Sequence, residues 1–305
     1  TLKRKMAIKE VLNFQRNITY IAKITVAASI QKSGGNMLNY VNEEELERED
    51  YPFEYGGESN LYHLKGSLEV YKKYISLSDS TVQNKTEKLI YLDKNKDKIP
   101  SAITPTKIIV NSKYLSTGYT MKYSKNCDLE NFMMSNEHSH NEKLDMLKKL
   151  REILFTYASN GIFYFDCNIA NFLCSKEGNQ SKIDIIDIDN IEIDNADAKI
   201  TSDCYNNDMT RYLKNGGQKG NDMLIYAFNH LTRMCFNRVP ELEYKINPLS
   251  RTSYSACTLG TFCYTLDQAS VDTIADHEFL LDYLTDITKK IWEDVSFFYL
   301  KTNEH

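Results

Sequence analysis

The sequence predicts an α+β protein in which a small β-sheet is followed by a larger helical part. Strand-like apolar runs separated by turn residues dominate residues 53–123, and helical patterns dominate the chain after residue 128. Strands that come first and helices that come later are typical of α+β chains. The chain has 305 residues, 42% hydrophobic and 26% charged, which gives room for one large domain or two lobes of a soluble globular protein.

The predicted elements of the first half are an extension, four strands and one helix. The extension begins with a basic and apolar segment, residues 3–32, which is compatible with one or two helices. It ends in an acidic run, residues 43–50, which we predict to be a solvated linker or helix face. Strands are predicted over residues 53–63, 67–75, 107–110 and 114–123. A helix over residues 81–92 lies between the second and third strands, and the Ser-Asp-Ser run before it can cap it.

The second half is predicted to be mainly helical. Asp128 caps a short helix over residues 129–134. The clearest helix covers about residues 141–159, since apolar residues recur there at three- and four-residue steps and an Asn-Gly pair ends it. Two short strands are predicted over residues 172–174 and 183–187, and the chain from Asp222 onward is predicted to be helical. The predicted domains are therefore an extension (1–50), a sheet part (51–124) and a helical part (125–305).

Composition and charge exclude several classes of protein. The seven cysteines form no C-x-x-C pair, so neither a zinc site nor a disulfide framework is indicated. A net charge of −5 argues against bulk attraction to nucleic acid. No apolar run reaches the roughly 18 residues of a membrane span, and no apolar signal core follows the basic N-terminus. We therefore expect a cytoplasmic protein with no membrane partner.

Two short stretches carry the chemistry that the sequence predicts. The first, residues 161–173, contains Asp166 and Asn171, and the second, residues 183–190, contains Asp187 at the end of an apolar run. An Asp in such a position escapes the core only by facing a cleft, because burying an unpaired charge is costly. A structural alternative stays open at this point, in which Asp166 and Asn171 cap a turn and one exposed strand face carries Asp184, Asp187 and Asp189.

The order of these residues resembles the catalytic core of the protein-kinase-like superfamily: a helix ended by Gly, then Asp-x4-Asn, a hairpin and a second Asp. The resemblance implies a bilobal fold, with residues 51–124 as a β-rich N-lobe and residues 125–305 as a helical C-lobe. It also implies that Asp166 is the catalytic base and that Asn171 and Asp187 hold Mg²⁺ against the phosphates of ATP. Hard oxygen ligands suit Mg²⁺, and phosphoryl transfer is mostly positioning and neutralisation of phosphate charge.

The sheet part resembles the nucleotide-binding strands of the same superfamily. Gly56 and Gly57 resemble the glycine turn whose backbone N–H groups approach the phosphates. Residues 70–73, Val-Tyr-Lys-Lys, resemble the strand that carries the phosphate-binding lysine. Strand alternation places Lys72 on the same face as the small aliphatic residue that would lie beside adenine, so Lys72 is preferred and Lys73 stays an alternative.

Three further positions follow from the resemblance. It implies that Glu87, on the predicted helix, is the ion-pair partner of that lysine, although a surface glutamate flanked by lysines is an equally ordinary interpretation. The strand over residues 119–124, with Met121, would lead to the hinge whose backbone meets the adenine edge. The helix that begins near Asp222 resembles the buried helix that anchors the catalytic loop.

The chain also departs from the superfamily pattern. Tyr164 and Phe165 stand where many protein kinases carry His and Arg, so no clamp for a phosphorylated loop is expected, and activity should not depend on such phosphorylation. Asn168 replaces a common Lys, and Asp189 replaces the Gly of the metal triplet. No Ala-Pro-Glu motif follows. These departures weaken the inference to a protein acceptor more than the inference to phosphoryl transfer.

The expected function is an ATP- and Mg²⁺-dependent phosphotransferase that acts on a Ser, Thr or Tyr hydroxyl of a protein. A small-molecule kinase and a catalytically inactive scaffold with a kinase fold are the alternatives. Nucleotide transfer on the same fold is a further possibility that no residue favours. The expected partners are ATP and a hydroxyl acceptor.

Overall fold

The computed structural model describes residues 38–178, 180–202 and 205–236, together with residues 279, 281, 282 and 285. The chain divides into two units, residues 1–39 and 40–305, and only Leu38 and Asn39 of the first are described. The helices predicted over residues 3–32, and most of the helical stretch predicted beyond residue 236, lie outside the described residues. Within the described part of the chain, no helix has both the length and the apolar character needed to cross a bilayer.

A six-stranded sheet forms the first part of the described fold. Its strands are β1 (Asn39–Asn42), β2 (Glu54–Tyr55), β3 (Ser59–His63), β4 (Glu69–Tyr74), β5 (Pro105–Val110) and β6 (Ser116–Lys122). The spatial order is β1-β5-β6-β4-β3-β2, and neighbours among β2 to β6 pair antiparallel. Three of the four predicted strands are confirmed as β4, β5 and β6, whereas the strand predicted over residues 53–63 is divided into β2 and β3. Strand β1 and the 3₁₀ helix Glu43–Glu45 lie where the sequence predicted an extension and an acidic linker.

Five α-helices are described, and the side chain of a capping residue begins each of the first four. They are α1 (Asp79–Lys94), α2 (Leu129–Met134), α3 (His140–Ser159), α4 (Asn207–Lys214) and α5 (Asn221–Phe236). Ser78 caps α1 by accepting a bond from the backbone N–H of Thr81 at 3.2 Å, and Asp128 caps α2 in the same way through Asn131 at 2.7 Å. The predicted positions of α1, α2, α3 and the start of α5 are confirmed, whereas the sequence did not predict α4.

Two small sheets flank the loop that follows α3. One contains β7 (Cys127–Asp128), β9 (Phe172–Glu177) and β10 (Gln180–Ile185), and the other contains β8 (Ile162–Phe163), β11 (Glu192–Asp194) and β12 (Lys199–Ile200). The β9–β10 hairpin extends the two predicted strands, 172–174 and 183–187, into most of the residues between them. The described structure is therefore α+β, as predicted, with strands concentrated before α2 and four of the five helices after residue 128.

The two faces of the large sheet differ, and strand pairing decides which residues share each face. Lys72 lies directly opposite Tyr119, so both side chains leave the sheet on the same face. That face meets α1 and the 3₁₀ helix Ile188–Asn190. The opposite face carries Tyr71, which belongs to a buried cluster with Tyr62, Leu64 and Ile109. The sheet therefore directs Lys72 toward the second half of the chain.

A short connection holds the sheet part against the β9–β10 hairpin. The backbone of Ile185 donates to the carbonyl of Ser101 at 2.8 Å and accepts from the N–H of Ile103 at 2.8 Å. The hydroxyl of Tyr157 on α3 donates to the carbonyl of Pro100 at 2.6 Å. These bonds fix the end of β10, two residues before Asp187, relative to the segment between α1 and β5.

Gly118 permits the close pairing of β4 and β6 that positions Lys72. Its φ is +153°, and an added Cβ would lie 2.0 Å from the backbone carbonyl oxygen of Lys72. Gly118→Ala should therefore lower the free energy of unfolding by more than the roughly 1–3 kcal/mol typical of backbone strain alone. Gly66→Ala is the control, since Gly66 has φ +67° but nothing within 4 Å of an added Cβ. Urea unfolding of both variants checks this, and equal losses would contradict the steric argument.

The capping box at the start of α3 gives this helix a pH-dependent stabilisation. Glu142 bonds the side chain of Lys176 and the backbone and hydroxyl of Ser139, which lowers the pKa of Glu142 from 4.5 to about 2. A lowered pKa means that the stabilisation is complete above the ordinary value of 4.5 and is lost as the pH falls toward 2. Glu142→Gln should therefore lower Tm at pH 7, and the difference from wild type should shrink below pH 4.5. Glu152→Gln, on an exposed position of the same helix, should show no such trend.

Candidate functional site

A fully buried carboxylate lies at the centre of the site. The side chain of Asp189 is 0% exposed. Its Oδ1 accepts hydrogen bonds from the ammonium of Lys72 at 2.8 Å and from the hydroxyl of Tyr119 at 3.1 Å. Its Oδ2 lies 3.2 Å from the ammonium nitrogen of Lys85. Strands β4 and β6 and helix α1 thus each contribute a partner, which is what a buried charge requires.

Lys72, rather than Lys73, faces the carboxylates. The ammonium of Lys72 bonds both Asp189 and Asp187, and its side chain is nearly buried. Lys73 points to the opposite face of the sheet, where its ammonium bonds Glu43. Period-two alternation along β4 explains the difference. Of the two lysines that the sequence left open, the structure brings Lys72 into the cluster.

Asn190 connects the two carboxylates to which the resemblance assigns chemistry. Its amide nitrogen lies 3.3 Å from Oδ2 of Asp166 and 3.3 Å from Oδ2 of Asp187. The ammonium of Lys85 bonds the amide oxygen of Asn190, which fixes the direction of the amide. Asn171 donates from its own amide nitrogen to the carboxylate of Asp166 at 3.3 Å and to its carbonyl at 3.1 Å. Only Oδ1 of Asn171 is therefore left to act as a metal ligand.

Hydrogen bonds to backbone carbonyl groups hold the two loops of the site together. The N–H of Ile186 donates to the carbonyl of Asn171 at 3.0 Å, and the hydroxyl of Tyr164 donates to the carbonyl of Ile186 at 2.8 Å. Asp187 follows in the left-handed region, with φ 62° and ψ 32°. Asp tolerates this conformation better than most residues, and it turns the chain sharply into the 3₁₀ helix Ile188–Asn190. The turn allows Asp187 and Asp189 both to reach Lys72.

The glycine turn also reaches the cluster. Gly56 and Gly57 lie between β2 and β3, and the N–H of Gly56 bonds the carbonyl of Ser59 at 2.8 Å. The next residue after the glycines, Glu58, places Oε2 3.1 Å from the ammonium nitrogen of Lys85. The turn predicted to approach phosphates therefore already contacts the charged cluster through a carboxylate.

The prediction that Glu87 pairs with Lys72 is wrong. Glu87 is exposed, and its carboxylate accepts a bond from Gln83 at 3.1 Å. The buried face of α1 instead carries side chains at i, i+3, i+4 and i+7 spacing: Lys85, Lys88, Leu89 and Leu92. Glu87, two positions after Lys85, falls on the other side of the helix.

Helix α1 therefore directs cations, not an anion, at the site. Lys85 contacts Asp189 and Glu58, and the ammonium nitrogen of Lys88 lies 3.5 Å from the backbone carbonyl oxygen of Asp189. The alternative in which Asp187 and Asp189 line an exposed strand face is also excluded, since Asp189 is buried and ion-paired.

The charges shift one another's pKa values. Burial alone would raise the pKa of Asp189, but the ammonium groups of Lys72 and Lys85 outweigh burial and hold that pKa well below its ordinary value. Burial lowers the pKa of Lys72, although Asp189 opposes part of this effect. The pKa of Lys85 is raised because Asp189 and Glu58 outweigh its burial. Burial raises the pKa of Asp166 despite the hydrogen bonds from Asn190 and Asn171.

The predicted adenine-side residues also lie on the site face of the sheet. Met121 is buried on β6 directly opposite Val70 on β4. Beyond β6, the hydroxyl of Ser124 and the amide of Asn126 donate to Oδ2 of Asp184 at 2.7 and 2.9 Å. Asp184 thus anchors the segment after β6 to strand β10.

The oxygen ligands fit a magnesium ion that arrives with a nucleotide. In the described part of the chain, no three His, Cys, Asp or Glu side chains are grouped so as to hold a metal. The carboxylate of Asp187 and the amide oxygen of Asn171 are the hard ligands predicted for Mg²⁺. Mg²⁺ usually takes one or two protein ligands and completes its shell with water and substrate phosphates. The ammonium of Lys72, which bonds Asp187, shows that a cation is accommodated beside this carboxylate.

Neither models of known protein families nor curated proteins match this chain. A functional conclusion therefore depends on the geometry of the site itself.

Sequence reasoning missed four contributors to the site: Glu58, Lys85, Asp189 and Asn190. The sequence assigned Asp189 no part in the site: it was considered as a departure from the metal triplet and as a residue of an exposed strand face. The lysines of α1 carried a usable signal, since they occupy the same helical stripe as Leu89 and Leu92. A lysine on an apolar stripe requires a buried anion, and the next carboxylate after Asp187 supplies it.

The finding that Lys85, and not Glu87, contacts the buried cluster gives a prediction that does not depend on enzymatic activity. Lys85→Met should lower the free energy of unfolding by roughly 3–5 kcal/mol, because it leaves buried Asp189 short of one counter-charge. Glu87→Gln should change it by less than about 0.5 kcal/mol, as is usual for exposed positions. Chemical unfolding measures both effects, with Lys94→Met on an exposed position of the same helix as the matched control. A large loss for Glu87→Gln would contradict the geometry.

Proposed function

We propose that the chain is an ATP- and Mg²⁺-dependent phosphotransferase with the bilobal protein-kinase-like fold, which transfers the γ-phosphate to a Ser, Thr or Tyr hydroxyl of a protein. The observation that carries the proposal is the convergence of Lys72, Asp166, Asn171 and Asp187 from separate segments of the chain. Lys72 bonds Asp187, Asn171 bonds Asp166, and Asn190 bridges the two carboxylates. Scattered surface residues would not be expected to meet in this way.

The order of elements supports the same class. The lysine-bearing strand β4 is followed by helix α1 and then by β5 and β6, and all three strands lie in one sheet. Helix α3 ends at Gly161, and the loop with Asp166 and Asn171 leads into the β9–β10 hairpin and then to Asp187. This is the succession that the resemblance implies for the two lobes.

Each residue has a role in the proposed reaction. Asp166 accepts or orients the proton of the attacking hydroxyl, and its position beside Asn171 and Asn190 fixes the direction of its carboxylate. Lys72 turns its ammonium from Asp187 to the phosphates when the nucleotide binds. Asn171 and Asp187 would hold Mg²⁺, which supplies neutralisation of phosphate charge when bound. The backbone of the turn at Gly56 and Gly57 would cover the phosphates.

The acceptor class and the cytoplasmic location are part of the proposal. A small-molecule acceptor and a catalytically inactive scaffold are the competing outcomes of its test. Intact Asp166, Asn171 and Asp187 favour an active enzyme over a scaffold, because each retains the residue type that the chemistry needs.

The decisive experiment incubates the purified protein with Mg²⁺ and γ-labelled ATP, alone and with cell extract. Wild type should transfer label, and Asp166→Ala and Asp187→Asn should each reduce transfer by at least about a hundredfold, since they remove the base and a metal ligand. Asp194→Asn, at an exposed ion pair with Lys199, is the matched control and should behave as wild type. Gel separation of labelled protein from labelled small molecules identifies the acceptor class.

Three outcomes would change the conclusion. Label from α-labelled ATP would indicate nucleotide transfer instead. Binding of Mg·ATP with neither transfer nor hydrolysis would favour the scaffold. No transfer, together with no Mg·ATP-dependent rise in Tm, would overturn the phosphotransferase proposal.

A further inference from the structure

We propose that Asp189 is the positioning residue for Lys72, in place of a helix glutamate, so that one short segment carries both the metal ligand and the anion that holds the phosphate-binding lysine. This inference rests on the proposed function and assigns a role that the resemblance does not contain. At the position of Asp189 the resemblance implies a glycine, which has no side chain to offer.

Lys72 contacts two carboxylates. Of the described carboxylates, those of Asp187 and Asp189 lie within 4 Å of the ammonium nitrogen of Lys72. If Mg²⁺ takes the carboxylate of Asp187, Asp189 is left as the anion that holds Lys72. Its bond to Lys72 is 2.8 Å, a charge-assisted geometry. Lys72 can then keep one bond to Asp189 and direct its remaining N–H groups at the phosphates.

Asp189 is itself held in place by further partners. Its Oδ1 also accepts from the hydroxyl of Tyr119, which lies opposite Lys72 on the neighbouring strand. Its Oδ2 faces Lys85, and its backbone carbonyl faces Lys88. A fully buried carboxylate with partners on β4, β6 and α1 has little freedom to move.

Helix α1 presents cations, and not an anion, on its buried face beside the site. The helix carries Lys85 and Lys88 on its buried face and presents Glu87 to solvent. An anion that holds Lys72 must therefore come from elsewhere in the chain, and Asp189 is the buried anion that these helix lysines neutralise. Relative to the arrangement that the resemblance implies, the anion lies on the segment of Asp187 and the cations that balance it lie on the helix.

The test compares Asp189→Asn with wild type by steady-state kinetics and by the Kd for a fluorescent ATP analogue. Asparagine keeps the size of the side chain and can still accept from Tyr119, but it loses the charge that holds Lys72. We expect kcat/KM for ATP to fall about tenfold to a hundredfold, the range of a charge-assisted hydrogen bond. Wild type is measured first, so that the absence of nucleotide binding and turnover is recognised as failure of the proposed function, which would remove this inference with it.

A second variant separates positioning from structural support. Lys85→Met/Asp189→Asn removes one cation together with the anion, so it should recover most of the Tm that either single variant loses. Lys85→Met alone is the reference for kcat/KM, because both variants lack the bond from Lys85 to Asn190. If Asp189 positions Lys72, the double variant has a kcat/KM about tenfold or more below that of Lys85→Met although its Tm is higher. The double variant also serves as the test if Asp189→Asn alone does not fold. Asp194→Asn is the matched exposed control and should change neither quantity.

Two results would overturn the inference in a wild type that binds and turns over ATP. One is an Asp189→Asn variant with kcat/KM within about twofold of wild type. The other is a double variant whose kcat/KM equals or exceeds that of Lys85→Met alone while its Tm is higher, which would show that Asp189 serves only to neutralise Lys85.

Discussion

The burial of one carboxylate constrains the rest of this site. Asp189 is withdrawn from water, and a buried charge is tolerated only when its partners are fixed close by. Those partners come from a strand, a neighbouring strand and a helix, through Lys72, Tyr119 and Lys85. Strand alternation on β4, the register of β4 against β6 and the helical stripe of α1 must therefore all be satisfied together. These requirements also fix Asp187 and Asp166, because Asp187 belongs to the same segment as Asp189 and the amide of Asn190 contacts both carboxylates.

Lys85 contacts other parts of the site besides the carboxylate of Asp189. It bonds Asn190, whose amide contacts the carboxylates of Asp166 and Asp187. Its ammonium nitrogen also lies 3.1 Å from Oε2 of Glu58, beside the glycine turn. A residue on α1 thus contacts the turn that would cover phosphates and the amide that orients Asp166. Any rotation of α1 about its axis would disturb both contacts at once. The helix is in this way a support for the site even though it offers the opposite charge from the one expected.

Sequence reasoning predicted the features that depend on local chemistry and missed those that depend on packing. The cap at Asp128 and the period of α3 are local properties, and both were predicted correctly. Asp166, Asn171 and Asp187 were brought together by their spacing along the chain, which the turn and hairpin between them preserve. The predicted pairing of Glu87 with Lys72 was wrong because the prediction considered the residue type expected at the site and not the face of α1 on which Glu87 lies. The two-residue strands β7 and β8 have no pattern of their own and exist only through their pairing partners.

The contacts of the buried cluster join residues that are far apart in the chain, and this has a consequence for how the protein acquires its structure. The bonds from Lys72 to Asp189 and from Lys85 to Asn190 span 117 and 105 residues. Non-local contacts form late, because the loop between them must be closed before they contribute any stabilisation. Until the second half of the chain is in place, Lys72 and Lys85 lack the buried carboxylate of Asp189, and the partly exposed carboxylate of Glu58 is the first-half anion beside Lys85. During synthesis the sheet therefore cannot mature ahead of the helical part, and the whole described unit should gain its stability in one late, cooperative step.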